Sequence, residues 1–173
     1  LYQKTIAVFI LVILFGAILL ALPFASQTGK SCGFLTALFT STSAVCVTGL
    51  SKVDIWTQFT LFGQIVLLLL LQIGGLGFMS IITVFFHLFN RREGIQSLSL
   101  SAESLRTDNF QNLKRIQMRL LIGSLCFESV GALILFFCFL PSMGFLKAAW
   151  FGIFHAISAF CNAGFDLMGA ISP

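Results

Sequence analysis

The chain has 173 residues, 58% of them hydrophobic and 9% charged, with 21 Phe and a formal charge of +4. A soluble domain carries about 25% charged residues, so this chain lacks the polar surface to cover itself and reads as an all-α integral membrane protein. Its basic residues sit at the ends of apolar runs rather than on one face among aromatics, so no nucleic-acid partner is expected. The five cysteines, Cys32, Cys46, Cys126, Cys138 and Cys161, show no CxxC spacing and read as small buried hydrophobes rather than a disulfide or metal framework.

Residues 6–22 form an unbroken apolar run closed by Pro23. About 20 residues cover the roughly 30 Å of a bilayer core, so the run is long enough to span. It exceeds the h-region of a signal peptide, and Pro23–Phe24 makes a poor cleavage site, so it reads as a retained membrane helix. After a short polar connection, residues 33–46 are moderately apolar, with Thr36, Thr40 and Ser43 on one helical face. At about 1.5 Å per residue this helix covers only roughly 20 Å, so it enters the membrane without crossing it. Residues 47–51 then return as extended or irregular backbone, which is tolerated at that depth only inside protein or against a wet cavity.

Residues 61–89 read as a second spanning helix, interrupted by Gln72 and by Gly74, Gly75 and Gly77, and closed by Asn90, Arg91 and Arg92. No strand precedes these glycines, so they imply close helix packing rather than nucleotide binding. His87 caps or snorkels at the end of this helix. Residues 90–112 are polar and read as a linker; 113–119 are basic and amphipathic and lead into a third spanning helix over 120–140. Beyond Pro141 a second short helix is expected at 148–161, then a second glycine loop at 162–166. The domain reading is one complete helix–half-helix–loop–helix repeat over 1–89, the linker 90–112, and an incomplete second repeat over 113–173.

The duplication is visible residue by residue. FTSTSAVCVTGLS at 39–51 and FHAISAFCNAGFD at 154–166 share Phe39/Phe154, Ser43/Ser158, Ala44/Ala159, Cys46/Cys161 and Gly49/Gly164 at a constant offset. A half-length helix running into a glycine loop, written twice in a membrane protein, suits a cation path. Stripping water from a monovalent cation costs roughly tens of kcal/mol in a medium of low dielectric. Backbone carbonyls can replace that water without a fixed charge that traps the ion. Turning successive carbonyls to one axis needs backbone that glycine permits, at Gly49 and Gly164, and the half-helix C-termini add partial negative charge.

Thr40, Ser43, His155 and Ser158 are the candidate supports behind the loops. Asp166 is placed at the outer mouth or on a solvated loop end. Glu128, a carboxylate inside the third spanning helix, either contributes to the field of the ion path or makes a structural hydrogen bond. Lys4, Arg91, Arg92, Arg106, Lys114, Arg115 and Arg119 fall on one side, which the positive-inside rule makes cytoplasmic, against Lys30, Lys52 and Lys147 on the other. The N-terminus is then cytoplasmic and both loops open outward. An intramembrane enzyme built on His155 and Ser158 is disfavoured, because no GxSxG, HExxH or acidic partner accompanies them.

SAVCVTGLS and SAFCNAGFD resemble the first and second pore loops of the Trk/Ktr/HKT potassium transporters. QIGGLGFM at 72–79 and FESVGALIL at 127–135 resemble that family's first exit helix and second entry helix. The resemblance implies a potassium-channel-like fold of four linked repeats in the plasma membrane, with potassium as the transported ion and no covalently bound cofactor. It places the potassium ligands at the backbone carbonyls of Val47, Thr48, Gly49 and Leu50, and of Asn162, Ala163, Gly164 and Phe165. It also implies a homodimer of the full-length protein and a cytoplasmic nucleotide-binding regulatory subunit. Serine in place of the first filter glycine goes with sodium in this family, so Gly49 argues for potassium; sodium or nonselective transport is the alternative. With fewer than two full repeats, the chain is expected to be part of a longer protein, a dimer of half-molecules being the other possibility.

Overall fold

The computed structural model describes residues 2–90 and 105–170, with side chains over 6–77 and 118–169. The described residues form six α-helices and no strand: α1 (Tyr2–Ala21), α2 (Phe34–Val45), α3 (Ile55–Gln58), α4 (Leu61–Asn90), α5 (Leu105–Met143) and α6 (Phe145–Phe160). Single 3-10 turns at Pro23–Ala25 and Met168–Ala170 complete the order. An isolated antiparallel bridge joins Ser26 to Phe59.

Length sorts these helices. The 20 residues of α1 and the 30 of α4 give about 30 and 45 Å, enough to cross a hydrocarbon core. Within α5 the stretch Met118–Met143 is long and apolar enough to cross by itself. The 12 residues of α2 and the 16 of α6 give only about 18 and 24 Å, so neither crosses as a helix. Apolar side chains cover the outside of α1 and α5, with Leu11 66% and Phe127 74% exposed, which suits lipid rather than water.

One core serves both halves of the chain, with Val45, Leu67 and Leu71 packed in the same cluster as Phe154, Phe165 and Leu167. Several of the polar groups buried with it are paired. The Ser41 hydroxyl donates to the Ile13 carbonyl (2.8 Å), pinning α2 to α1. Gln64, 2% exposed, donates to the Phe59 carbonyl (3.0 Å) and accepts from the Trp150 indole (2.7 Å), tying α4 to α6. On one side of the bundle Asp54 caps α3, accepting the N–H groups of Trp56 (3.3 Å) and Thr57 (3.2 Å).

Several boundaries differ from the sequence reading. α5 begins at Leu105, inside the stretch read as linker, whose residues 91–104 lie outside the described ones, as do residues 171–173 and the His87 side chain. α5 runs through Pro141 to Met143. A proline in the last turn removes one backbone donor without ending the helix, and the break falls at Gly144, so α6 starts a turn earlier than residue 148. The cysteines are not uniformly buried: Cys46, Cys126 and Cys138 are exposed, and Cys32 and Cys161 are partly so. In a membrane protein the lipid-facing surface is as apolar as the core, and composition cannot separate the two.

Candidate functional site

The two short helices end in the same way, bond for bond. At α2 the N–H groups of Cys46, Val47 and Thr48 donate to the carbonyls of Thr42 (2.8 Å), Ala44 (3.2 Å) and Ser43 (2.9 Å). At α6 those of Cys161, Asn162 and Ala163 donate to the carbonyls of Ile157 (2.9 Å), Ala159 (3.0 Å) and Ser158 (2.8 Å). This is the Schellman termination, which needs a left-handed residue just past the helix. Val47 (φ 55°) and Asn162 (φ 56°) take that position, and Gly49 (φ 73°) and Gly164 (φ 74°) repeat the left-handed turn two residues on. Asparagine tolerates this conformation; valine, β-branched, is strained in it.

Past the helix end the two loops are supported differently. In the second, Ala163, Phe165 and Leu167 are buried while Asn162, Gly164 and Asp166 are exposed, an extended alternation running back along α6. The Ser158 hydroxyl donates to the Phe165 carbonyl (2.6 Å), and the Leu167 N–H donates to His155 Nε2 (3.4 Å). Because Nε2 accepts, the ring proton is assigned to Nδ1, which donates to the Phe151 carbonyl (2.8 Å). Phe139, Phe151 and Phe154 surround the ring with centroids about 6 Å away. In the first loop the Thr48 hydroxyl lies 2.9 Å from the Ser43 hydroxyl and 3.3 Å from its carbonyl. Thr40, the counterpart of His155, donates instead to the Thr36 carbonyl of its own helix (2.9 Å) and does not reach the loop.

Ser43, His155 and Ser158 therefore lie behind the loops, and Thr48 is a support that sequence reading missed. The carbonyl of Phe165, one of the expected ligands, accepts the Ser158 hydroxyl of α6. His155 and Ser158 are each engaged elsewhere and do not form a nucleophile–base pair. Asp166 is exposed and caps its own turn, accepting the Met168 N–H (3.0 Å).

The loops meet backbone to backbone at Gly49. A Cβ there would collide with the Ala163 carbonyl oxygen and lie 3.4 Å from Gly164 Cα. Among the described residues, a Cβ at Gly164 would have nothing within 4 Å. The glycines of α4 make a similar close fit: a Cβ on Gly74 would strike the Val45 carbonyl, and one on Gly75 would lie 2.7 Å from Cys161 Sγ.

Both helix ends face a cavity of about 530 Å³. It is bounded by residues 45–47, residues 160–162, the middle of α4 at Gln72 and 74–76, and Phe9. Two helix C-termini thus present partial negative charge to one space. Behind the wall, Glu128 on α5 is 5% exposed; Gln72 Nε2 donates to its Oε2, and its Oε1 is buried without a partner among the described residues.

Two half-length helices with their carbonyl ends at one shared cavity, packed among helices long enough to span, define a helical membrane protein. The chain belongs to the TrkH family of cation transport proteins, whose family model matches residues 1–171. It is 41% identical over 167 residues to the potassium/sodium uptake protein NtpJ of Enterococcus hirae, covering 96% of this chain and 37% of that protein. It is also 41% identical over 159 residues to the Ktr system potassium uptake protein B of Vibrio alginolyticus, covering 92% of this chain and 34% of that protein. The protein of the same name from Bacillus subtilis gives 41% over 159 residues, 92% of this chain and 35% of its own length. The chain spans about a third of the length of these curated relatives. These relatives are transporters, not enzymes.

Proposed function

We propose that the chain supplies the first two loops of a potassium-conducting filter in a longer membrane protein. The observation that carries this reading is the bond-for-bond identity of the two helix ends, each leading into a loop with left-handed residues at matching positions, and the two loops touching at Gly49. The carbonyls of residues 47–50 and 162–164 would stand in for the water shell of potassium. Further loops of the longer protein would complete the ring, with Gly164 offering the open flank. The filter would face outward and the cavity the cytoplasm, following the basic residues. A homodimer and a cytoplasmic nucleotide-binding regulatory subunit belong to the same proposal.

A second reading, sodium alongside potassium, is favoured by the relative named a potassium/sodium uptake protein. Both are tested by Gly49→Ser and Gly164→Ser in the full-length protein, expressed in a host lacking potassium uptake. Weakened discrimination between potassium and sodium is expected in each variant. Unchanged uptake ratios in both would overturn the filter assignment, and equal wild-type uptake of the two ions would favour the second reading.

A further inference from the structure

The pair Gln72–Glu128 fixes something that the filter reading leaves unassigned. A carboxylate oxygen can only accept a hydrogen bond, so the side of the Gln72 amide that meets Glu128 Oε2 is its NH2 group. The amide oxygen is then presented to the other side, and Gln72 lines the cavity there. Among the described residues its one hydrogen-bond partner on that side is a weak donor, the Cys161 thiol at 3.8 Å, which leaves a lone pair open. Glu128 itself does not line the cavity; it is buried one layer behind, inside the spanning part of α5.

Resting on the cation-conducting reading above, we propose that Gln72 Oε1 is a cation-facing ligand in the cavity, and that Glu128 is the positioning residue that holds the amide oxygen-inward. The occupant is a monovalent cation with its first water shell. At about 30 Å³ per water, a cavity of about 530 Å³ has room for one. The amide oxygen and the two helix C-termini direct three negative dipole ends into the same space. Keeping the full charge behind the amide polarises the oxygen without creating a site too tight for the ion to leave. Were Glu128 replaced by an apolar residue, the amide could turn its NH2 inward, and the local field would change sign.

The test exchanges the two side chains in the full-length protein. Gln72→Glu with Glu128→Gln keeps the hydrogen bond and puts the carboxylate at the cavity wall. Potassium flux is measured with Ba²⁺ applied from the cytoplasmic side. Block should tighten at least about tenfold relative to wild type, because a carboxylate replaces a dipole next to a divalent ion. Unchanged block would mean that no cation comes near the position 72 side chain, and that result overturns the assignment. The second variant, Gln72→Leu with Glu128→Leu, removes both partners and leaves neither unpaired. It should accumulate normally, with maximal potassium flux reduced severalfold and the potassium-to-sodium ratio unaltered. Should the exchanged protein fail to accumulate, unchanged flux in the leucine pair overturns the assignment and reduced flux at an unaltered ratio sustains it. Wild-type protein that carries no monovalent cation overturns the proposed function itself, whereas wild-type flux with unshifted block overturns only the role of Gln72.

Discussion

Alanine at position 49 gives the new methyl group nowhere to go. Its backbone sits at φ 73°, where a side chain costs about 1–2 kcal/mol. The methyl would also run into the Ala163 carbonyl oxygen. That carbonyl cannot yield easily, since Ala163 is 2% exposed and its N–H is fixed to the Ser158 carbonyl at 2.8 Å. Forcing extra volume into packed surroundings costs about 1–3 kcal/mol, so Gly49→Ala should destabilise by about 2–5 kcal/mol in all. Gly164 has nearly the same backbone, φ 74°, but open space around the added atom, so Gly164→Ala should lose only the about 1–2 kcal/mol of strain. Thermal unfolding of the purified full-length variants, followed by fluorescence, ranks the two, and the ratio of potassium to sodium uptake should fall further in Gly49→Ala. If both variants stay within the range of strain alone, the backbone contact at Gly49 is refuted. If both fall well beyond it, a further segment of the protein lies against Gly164.

Val47 holds the left-handed position that Asn162 holds in the second copy, so Val47→Asn should relieve strain and raise stability by about 1 kcal/mol, read as a higher unfolding midpoint. A lowered midpoint would mean that the packing of the valine outweighs its strain. Ser158→Ala removes the buried donor to the Phe165 carbonyl and should cost about 1–3 kcal/mol. Ser43→Ala should cost about 0.5–1 kcal/mol, since the Thr48 hydroxyl keeps the carbonyl of residue 43 within reach. Equal midpoints for these two serine variants would contradict the unequal support of the loops.

Local signals carried much of this arrangement. The coincidence of Ser43/Ser158, Cys46/Cys161 and Gly49/Gly164 located both helix ends, and the Gly74–Gly75 pair indicated a close approach that proves to be Val45 and Cys161. Helix starts were harder to read. Pro141 looks like a terminator from sequence, yet in the last turn it costs one hydrogen bond and α5 continues past it. Asp54 followed by Thr57 is a capping signal that could have located α3. The bond from Gln72 to Glu128 had no local signature, because α6, packed against both α4 and α5, brings those residues together from 56 positions apart. The asymmetry between Thr40 and His155 was hidden for a related reason: the register matches, but a hydroxyl is too short to cross to the loop.

The unequal footing of the two loops bears on how the protein is made. The second is stitched to α6 through Ser158 and His155, whereas the first abuts Ala163 of the second at Gly49. Chains emerge from the ribosome N-terminus first. The earlier segment must therefore wait in the bilayer, its neighbour still missing, until α4, α5 and α6 have all been synthesised. Lesions in α6 should accordingly surface as maturation faults in a stretch translated long before it.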